Sequence, residues 1–359
     1  MKIGILTFHR AINYGAVLQA YALRKKLEMM GNEVEIIDYI CPKIRSDYLP
    51  EFSIKKSLKT SLNQLISAPF LLRRRKKFFS FITNNLVMSE MHETANNIEE
   101  KYDMIITGSD QVWQYNLTGN DDIYFLKDFE DVVKVAYAAS FSLKNNKISE
   151  RQFNMLKSLD FISVRERENA DFLKRKMGRY VDTVCDPTFL LSKKEWEQLS
   201  HQMRPKYKNY VLAFNVLKTN GMLEFAFNLA KSSGKQLIVL TTSVQRKVKG
   251  KYIRTADPIE FLSLIENADF IVTNSFHGTA FSIIFQKEFF VETIANGGII
   301  NTRVLNLLDS LHIRGRSIEN RKNREFDSID YQQIQPYKEN LSKYAVSFLS
   351  ECLTKGYKK

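Results

Sequence analysis

The run Asp269-Phe-Ile-Val-Thr-Asn-Ser-Phe-His-Gly-Thr-Ala-Phe-Ser-Ile-Ile-Phe285 constrains the fold of this chain more than any other stretch. Phe270 to Thr273 read as a short buried strand, Asn274 to Gly278 as a tight polar turn, and Thr279 to Phe285 as an apolar helix. In such a strand-turn-helix unit the unpaired N–H groups at the start of the helix face the carboxyl end of the sheet. There they offer donors and partial positive charge to an anion. His277 thus stands where phosphate or carboxylate chemistry would be done, although an imidazole at this place also reads as a simple turn cap. Asn274, Ser275 and Gly278 are the turn residues that would face the same ligand.

A length of 359 residues is too great for one compact core and fits two domains. With 44% hydrophobic and 26% charged residues, the composition is that of a globular protein. Cys41, Cys185 and Cys352 are odd in number and lack metal-ligand spacing, which argues against a disulfide framework or a zinc site. The Asp and Glu residues show no coordination spacing, so a metal-independent protein is expected. His9 and Arg10 interrupt the apolar N-terminus, and no apolar run reaches the roughly 18 residues of a membrane span. A cytoplasmic location follows as an expectation. The net charge of +13 favours anionic partners without choosing among polyanions, lipid surfaces and phosphorylated small molecules.

In chain order, Lys2 to Phe8 reads as a first buried strand, Tyr14 to Met30 as a helix and Val34 to Ile37 as a second strand. This opening βαβ unit lacks the Gly-x-Gly-x-x-Gly fingerprint, so nicotinamide binding is not expected. Asn13 and Gly15 lie in its first loop, which opens onto the ligand crevice; Gly15 reads equally as a residue that only permits the turn. Further strands, Asp103 to Thr107, Val132 to Ala139 and Phe161 to Val164, end in Asp110, Ser140 and Arg165 at the edge where ligands collect. A guanidinium suits a carboxylate or phosphate, which makes Arg165 a donor-binding candidate; the alternative is a surface ion pair with Glu166 or Glu168.

Residues 51 to 92 read as a basic-aromatic insertion, with Arg73-Arg-Arg-Lys-Lys77 followed by Phe78, Phe79 and Phe81. Positions 55 to 81 suit the headgroups of an anionic membrane, or a solvated helix with one buried apolar face. No nucleic-acid module surrounds them. After the passage Val181 to Leu191, a second alternating series begins. Its elements are Tyr210 to Phe214, Gly221 to Ser233, Lys235 to Thr241, Pro258 to Glu266, the His277 unit, Glu288 to Thr293 and the helix Thr302 to Leu311 with Arg303. The expected fold is α/β, with two doubly wound Rossmann-like domains facing across a cleft. The expected division is 1–185, 186–325 and a helical tail 326–359.

Taken together, Asn13-Tyr-Gly-Ala-Val-Leu-Gln-Ala-Tyr-Ala-Leu23, Thr107-Gly-Ser-Asp-Gln-Val-Trp113, Tyr137-Ala-Ala-Ser-Phe141, Ser163-Val-Arg-Glu166, Asp186-Pro-Thr188 and Ser275-Phe-His-Gly278 occur in an order that resembles the polysaccharide pyruvyl transferase family. The resemblance covers roughly residues 1 to 315. It implies a glycosyltransferase-B-like architecture and transfer of a pyruvyl group from phosphoenolpyruvate, a co-substrate and not a cofactor, to a sugar as a ketal. It also implies a role in capsule or exopolysaccharide assembly, on an acceptor carried by a polyprenyl diphosphate, with peripheral contact at the inner face of the membrane. On this resemblance His277 matches the active-site histidine and Arg165 an arginine that holds phosphoenolpyruvate. Many members carry an arginine two residues before the histidine, where this chain has Ser275, and Arg303 is the expected substitute. Two other readings remain open at this point: a sugar-nucleotide glycosyltransferase of the same architecture, and a non-catalytic binding protein of envelope assembly.

Overall fold

The computed structural model of the chain describes all residues except 48–57, 97, 142–147, 296–298, 314, 320–326 and 357–359. At 47, 58–66, 294–295 and 299–300 it describes the backbone alone. Met1–Leu49, Phe79–Leu191 and Asn340–Lys359 form one compact unit, and Pro50–Phe78 with Ser192–Glu339 form the other.

The first unit is built on seven strands: β1 (Lys2–Leu6), β2 (Glu33–Tyr39), β3 (Met88–His92), β4 (Met104–Asp110), β5 (Val133–Ala139), β6 (Phe161–Val164) and β7 (Asp182–Thr183). They are parallel throughout, in the order β3-β2-β1-β4-β5-β6-β7. Helices on both faces bury each central strand on two sides, which is why β1 and β4 read as nearly unbroken apolar runs. Helix Tyr14–Met29 packs against the turn Pro187–Leu190, which places the passage after β7 in this unit. Trp113, Tyr124, Phe125 and Phe129 are fully buried, and each side chain of that size contributes about 1.5–3 kcal/mol on leaving water.

Asp38, at the end of β2, accepts from both ends of the Arg10 fork (2.6 Å each) and lies 2.9 Å from His9 Nε2. Burial alone would raise its carboxyl pKa, but the hydrogen bonds and charges of His9 and Arg10 hold it well below the usual carboxylate range. A depressed folded pKa stabilises the fold fully above the unfolded value of about 3.9, and that stabilisation is lost as pH falls through the lower folded value. Asp38→Asn should therefore unfold at a lower temperature than wild type at neutral pH, with the gap closing in acid. A gap that stays constant as the pH is lowered through that window would refute the linkage.

The second unit is built on β8 (Tyr210–Phe214), β9 (Gln236–Leu240), β10 (Lys251–Ile253), β11 (Phe270–Thr273) and β12 (Glu288–Val291), all parallel, in the order β10-β9-β8-β11-β12. A short antiparallel ribbon, β13 (Ile294–Ala295) with β14 (Ile299–Ile300), follows. Trp196 meets Phe281 edge-on at 4.9 Å, and Phe261 meets Phe281 at 5.8 Å, between the helices on one face. Both sheets reverse direction of winding once, between β1 and β4 and between β8 and β11. In open parallel sheets these reversal points open the crevice in which ligands bind.

The basic-aromatic stretch is one 28-residue helix, Leu58–Asn85, followed by β3, with residues 51–57 outside the described part. Expected as an insertion of the first domain, it is divided at Phe78 between the two units. Phe78 and Phe81 are buried, Arg74 stacks on Phe78, and Lys77 pairs with Glu260, while Phe70, Leu71, Leu72 and Arg73 are exposed. The C-terminal helix Tyr331–Gly356 is divided likewise. Tyr331 donates to the Lys287 carbonyl within the second unit, and Phe348 lies 6.3 Å from Tyr137 within the first. Among the described residues no helix is long and apolar enough to cross a membrane.

Candidate functional site

In the second unit, β11 runs directly into helix Phe276–Ile284, which starts three residues earlier than the sequence suggests. The reason is a cap. Ser275, in extended conformation, accepts from the Gly278 N–H (3.3 Å) and its own N–H donates to Thr273 Oγ1 (3.1 Å). His277 is therefore not in a loop but in the first helical turn, at the reversal point between β8 and β11, and only 9% exposed. The Gly278 N–H, expected to face a ligand, is spent on the Ser275 cap.

Gly278 has a second reason to be glycine. A Cβ there would lie 2.5 Å from Thr273 Oγ1 and 2.9 Å from Phe214 Cδ1, so the helix packs on the ends of β8 and β11 only without a side chain. Gly278→Ala should cost about 1–3 kcal/mol through overpacking, read as a fall in thermal midpoint. An unchanged midpoint would show that Thr273 and Phe214 give way.

Asn274 is buried and ties the turn to the neighbouring loop. Its Nδ2 donates toward Glu292 Oε2 (3.0 Å), Asn215 Oδ1 and Thr219 Oγ1 (both 3.1 Å), and its Oδ1 accepts from the N–H groups of Val216 (2.9 Å) and Leu217 (3.2 Å). Its carbonyl accepts from Asn301 Nδ2 at 3.3 Å. Asn301 caps helix Thr302–Ser310, so Arg303, in the first turn of that helix, is brought to the same end of the sheet as the His277 turn. Sequence reasoning missed Asn215, Thr219 and Glu292. A signal was present, since Asn215 and Glu292 each directly follow a strand.

In the first unit a different set gathers at the carboxyl ends of β4, β5 and β6. Arg165 is not a surface residue: its side chain is 5% exposed and donates from Nη1 to Asp186 (2.8 Å) and from Nε to Glu166 (3.3 Å). Burial alone would lower the guanidinium pKa, but Glu166, Asp186 and Asp110 together hold it above the ordinary arginine value. Ser140 Oγ donates to Glu166 (2.8 Å) and its N–H to the Asp110 carbonyl (2.9 Å), which binds three of the sequence candidates into one network. Glu166 also accepts from Asn169 (3.0 Å), and Asp186 accepts from the N–H (3.0 Å) and hydroxyl (2.8 Å) of Thr188. Asp110 carries a left-handed backbone, φ 76°, which costs a non-glycine residue about 1–3 kcal/mol and is tolerated where surrounding structure enforces it.

Asn13 and Gly15 flank the reversal point beside this network. Asn13 is the exposed N-cap of helix Tyr14–Met29 and accepts from the buried Gly15 N–H at 2.9 Å. The side chain of Gln19 joins the two strand ends, donating to Thr7 Oγ1 (2.8 Å) and accepting from the Ser109 N–H (3.2 Å). The candidates thus fall into two groups, one in each unit: Asn13, Gly15, Asp110, Ser140 and Arg165, and Asn274, Ser275, His277, Gly278 and Arg303.

Comparison with known proteins agrees with this architecture. UDP-GlcNAc 2-epimerase from Neisseria meningitidis, solved bound to UDP-GlcNAc, shares the fold at a TM-score of 0.50 and 12% identity, over 99% of this chain and 100% of that one. UDP-GlcNAc 2-epimerase from Methanocaldococcus jannaschii follows at 0.47 and 12%, over 95% and 93%. At 12% identity the likeness to the Neisseria meningitidis enzyme concerns the fold alone, two Rossmann-like units of glycosyltransferase-B-like type. No curated protein matches the chain. The family model described as polysaccharide pyruvyl transferase matches residues 13–295, a span that runs from the Asn13 cap to beyond the His277 turn. The chain belongs to the polysaccharide pyruvyl transferase family.

Proposed function

We propose that the protein transfers the pyruvyl group of phosphoenolpyruvate to two hydroxyls of a sugar as a ketal, in the assembly of a cell-surface polysaccharide. The observation that carries this reading is His277 in the first turn of the helix after β11, within a chain matched by the family model over residues 13–295. Ketal formation begins with a proton delivered to C3 of phosphoenolpyruvate, for which His277 is the donor. A sugar hydroxyl adds to the cationic C2, the C2–O bond to phosphate breaks, and a second hydroxyl closes the ring on the same carbon. One hydroxyl proton restores the histidine and the other leaves with phosphate, so the reaction is redox-neutral.

Donors at the starts of helices Phe276–Ile284 and Thr302–Ser310, with Arg303 in the latter, are proposed to hold the carboxylate and departing phosphate. None of these steps calls for a metal. Arg165 is assigned to the donor side of the reaction from the first unit, through the edge it organises with Ser140 and Asp110. If the acceptor sugar is carried by a lipid diphosphate, the protein must work beside an anionic membrane, and exposed Arg73 and Lys76 are the proposed contact.

The test is donor consumption with a sugar acceptor. Loss of phosphoenolpyruvate with stoichiometric phosphate release and a ketal-sized mass gain on the sugar is expected. Release of a nucleoside diphosphate from a sugar nucleotide, with phosphoenolpyruvate untouched, would replace this reading by a glycosyltransferase.

A further inference from the structure

The second unit holds a cavity of about 380 Å³ that the proposed chemistry does not use. Asn215, Lys218, Thr241, Ser243 and Lys247 line it from the loops after β8 and β9, together with Tyr252 of β10 and Ser67 of helix Leu58–Asn85. Its size falls at the lower end of small-molecule sites.

Its charge is one-sided. From Thr241 to Ala256 the chain carries five cations, Arg246, Lys247, Lys249, Lys251 and Arg254, and no carboxylate. Lys218 and Lys247, on opposite loops, have no ion-pair partner among the described residues. Arg254 fixes the wall by donating to the carbonyls of Ser243 (2.8 Å) and Val244 (3.2 Å). Burial and then the neighbouring Arg246 lower the Arg254 guanidinium pKa.

The cavity also has an apolar neighbour. The Arg254 guanidinium lies 5.1 Å from the Tyr252 ring and 5.6 Å from the Phe70 ring, so cavity wall, cation and Phe70 form a continuous stack. Phe70 and Leu71 stand three and four residues past Ser67, on the same helix face, and are 41% and 40% exposed. A cationic, hydroxyl-lined pocket beside an exposed apolar ledge matches a molecule with a compact, doubly anionic head and a hydrocarbon tail.

We propose that this cavity binds the diphosphate of a lipid diphosphate, with Lys218 and Lys247 on the phosphates and the lipid chain along Phe70 and Leu71. The site deepens the transferase reading, on which it rests for the sugar that the diphosphate would carry. Binding itself needs neither phosphoenolpyruvate nor His277.

Calorimetric titration of the full chain with farnesyl diphosphate, inorganic diphosphate, UDP and phosphatidylserine vesicles tests it. Farnesyl diphosphate should bind about tenfold or more tighter than inorganic diphosphate, since burying about 55 Å² of tail on the ledge corresponds to that factor. Lys218→Ala with Lys247→Ala should weaken both diphosphates about tenfold or more, because each lost charge-assisted contact is of that order. Leu71→Ser should weaken farnesyl diphosphate alone. All three positions are exposed, so equal thermal midpoints serve as the folding control.

UDP binding as tightly as farnesyl diphosphate would overturn the proposal in favour of a nucleoside diphosphate site. Binding to anionic vesicles without binding to farnesyl diphosphate would overturn it in favour of a membrane-surface contact. Unchanged affinity in the double lysine variant would place the ligand elsewhere. Because the titration contains no phosphoenolpyruvate, its failure leaves the transferase reading standing, and failure of ketal transfer leaves the cavity's ligand intact.

Discussion

His277→Ala is expected to fold normally and to turn over phosphoenolpyruvate about a hundredfold or more slowly, the loss of a positioned general acid. The fold should survive because three other residues tie the turn in place. Ser275 caps the helix, Gly278 gives it close approach to β8 and β11, and Asn274 ties the turn to the β8 loop. The ring itself packs edge-on to Phe276 at 5.1 Å, a contact whose loss is modest beside those ties. Steady-state rates with phosphoenolpyruvate and an acceptor sugar check the first half, and the thermal midpoint checks the second. A variant that turns over near the wild-type rate would remove His277 from the chemistry, and one that fails to fold would make its role structural.

Arg165→Met should cost about 3–5 kcal/mol of stability, because it leaves two carboxylates buried without their cation. The Asp186 side chain is 0% exposed and that of Glu166 10%, so neither can turn to water while the network stands. Sequence alone sets a different order of effects, in which Arg165→Lys raises the KM for phosphoenolpyruvate more than it disturbs the fold. Burial of the guanidinium puts stability first, since lysine keeps the charge but cannot reach Asp186 and Glu166 with one planar fork. Urea unfolding of Arg165→Met and Arg165→Lys should rank wild type above Lys above Met. A loss below about 1 kcal/mol in Arg165→Met, the range of exposed ion pairs, would show that the network does not hold the edge together.

Much of the architecture was legible because parallel α/β strands are buried on both faces and so write continuous apolar runs into the sequence. Phe161–Val164, Tyr210–Phe214 and Phe270–Thr273 needed no tertiary information to be placed as strands. The short β3 did not announce itself: Met88–His92 is half-exposed along its length, and only pairing with β2 makes it a strand. Helix Phe276–Ile284 begins early because a side-chain cap at Ser275, invisible to periodicity, takes up the Gly278 N–H of the first turn.

The candidate residues divide in the same way. His277 and the strand-end positions Asp110, Ser140 and Arg165 were readable, since polar residues after an apolar strand mark the ligand edge of a parallel sheet. What each does there was not readable, because a side chain's partners come from strands that are neighbours in space and distant in sequence. Arg165 meets Asp186 across 21 positions and Asn274 meets Asn215 across 59. Residue order alone carries the fold class, the position of the histidine at a sheet edge and the resemblance to the family. It takes the folded chain to bury Arg165 between two carboxylates, to press Gly278 against Thr273 and Phe214, and to set a cationic cavity beside the exposed Phe70 and Leu71. Those outcomes depend on chain segments brought together by burial, and no local pattern of residues encodes which segments meet.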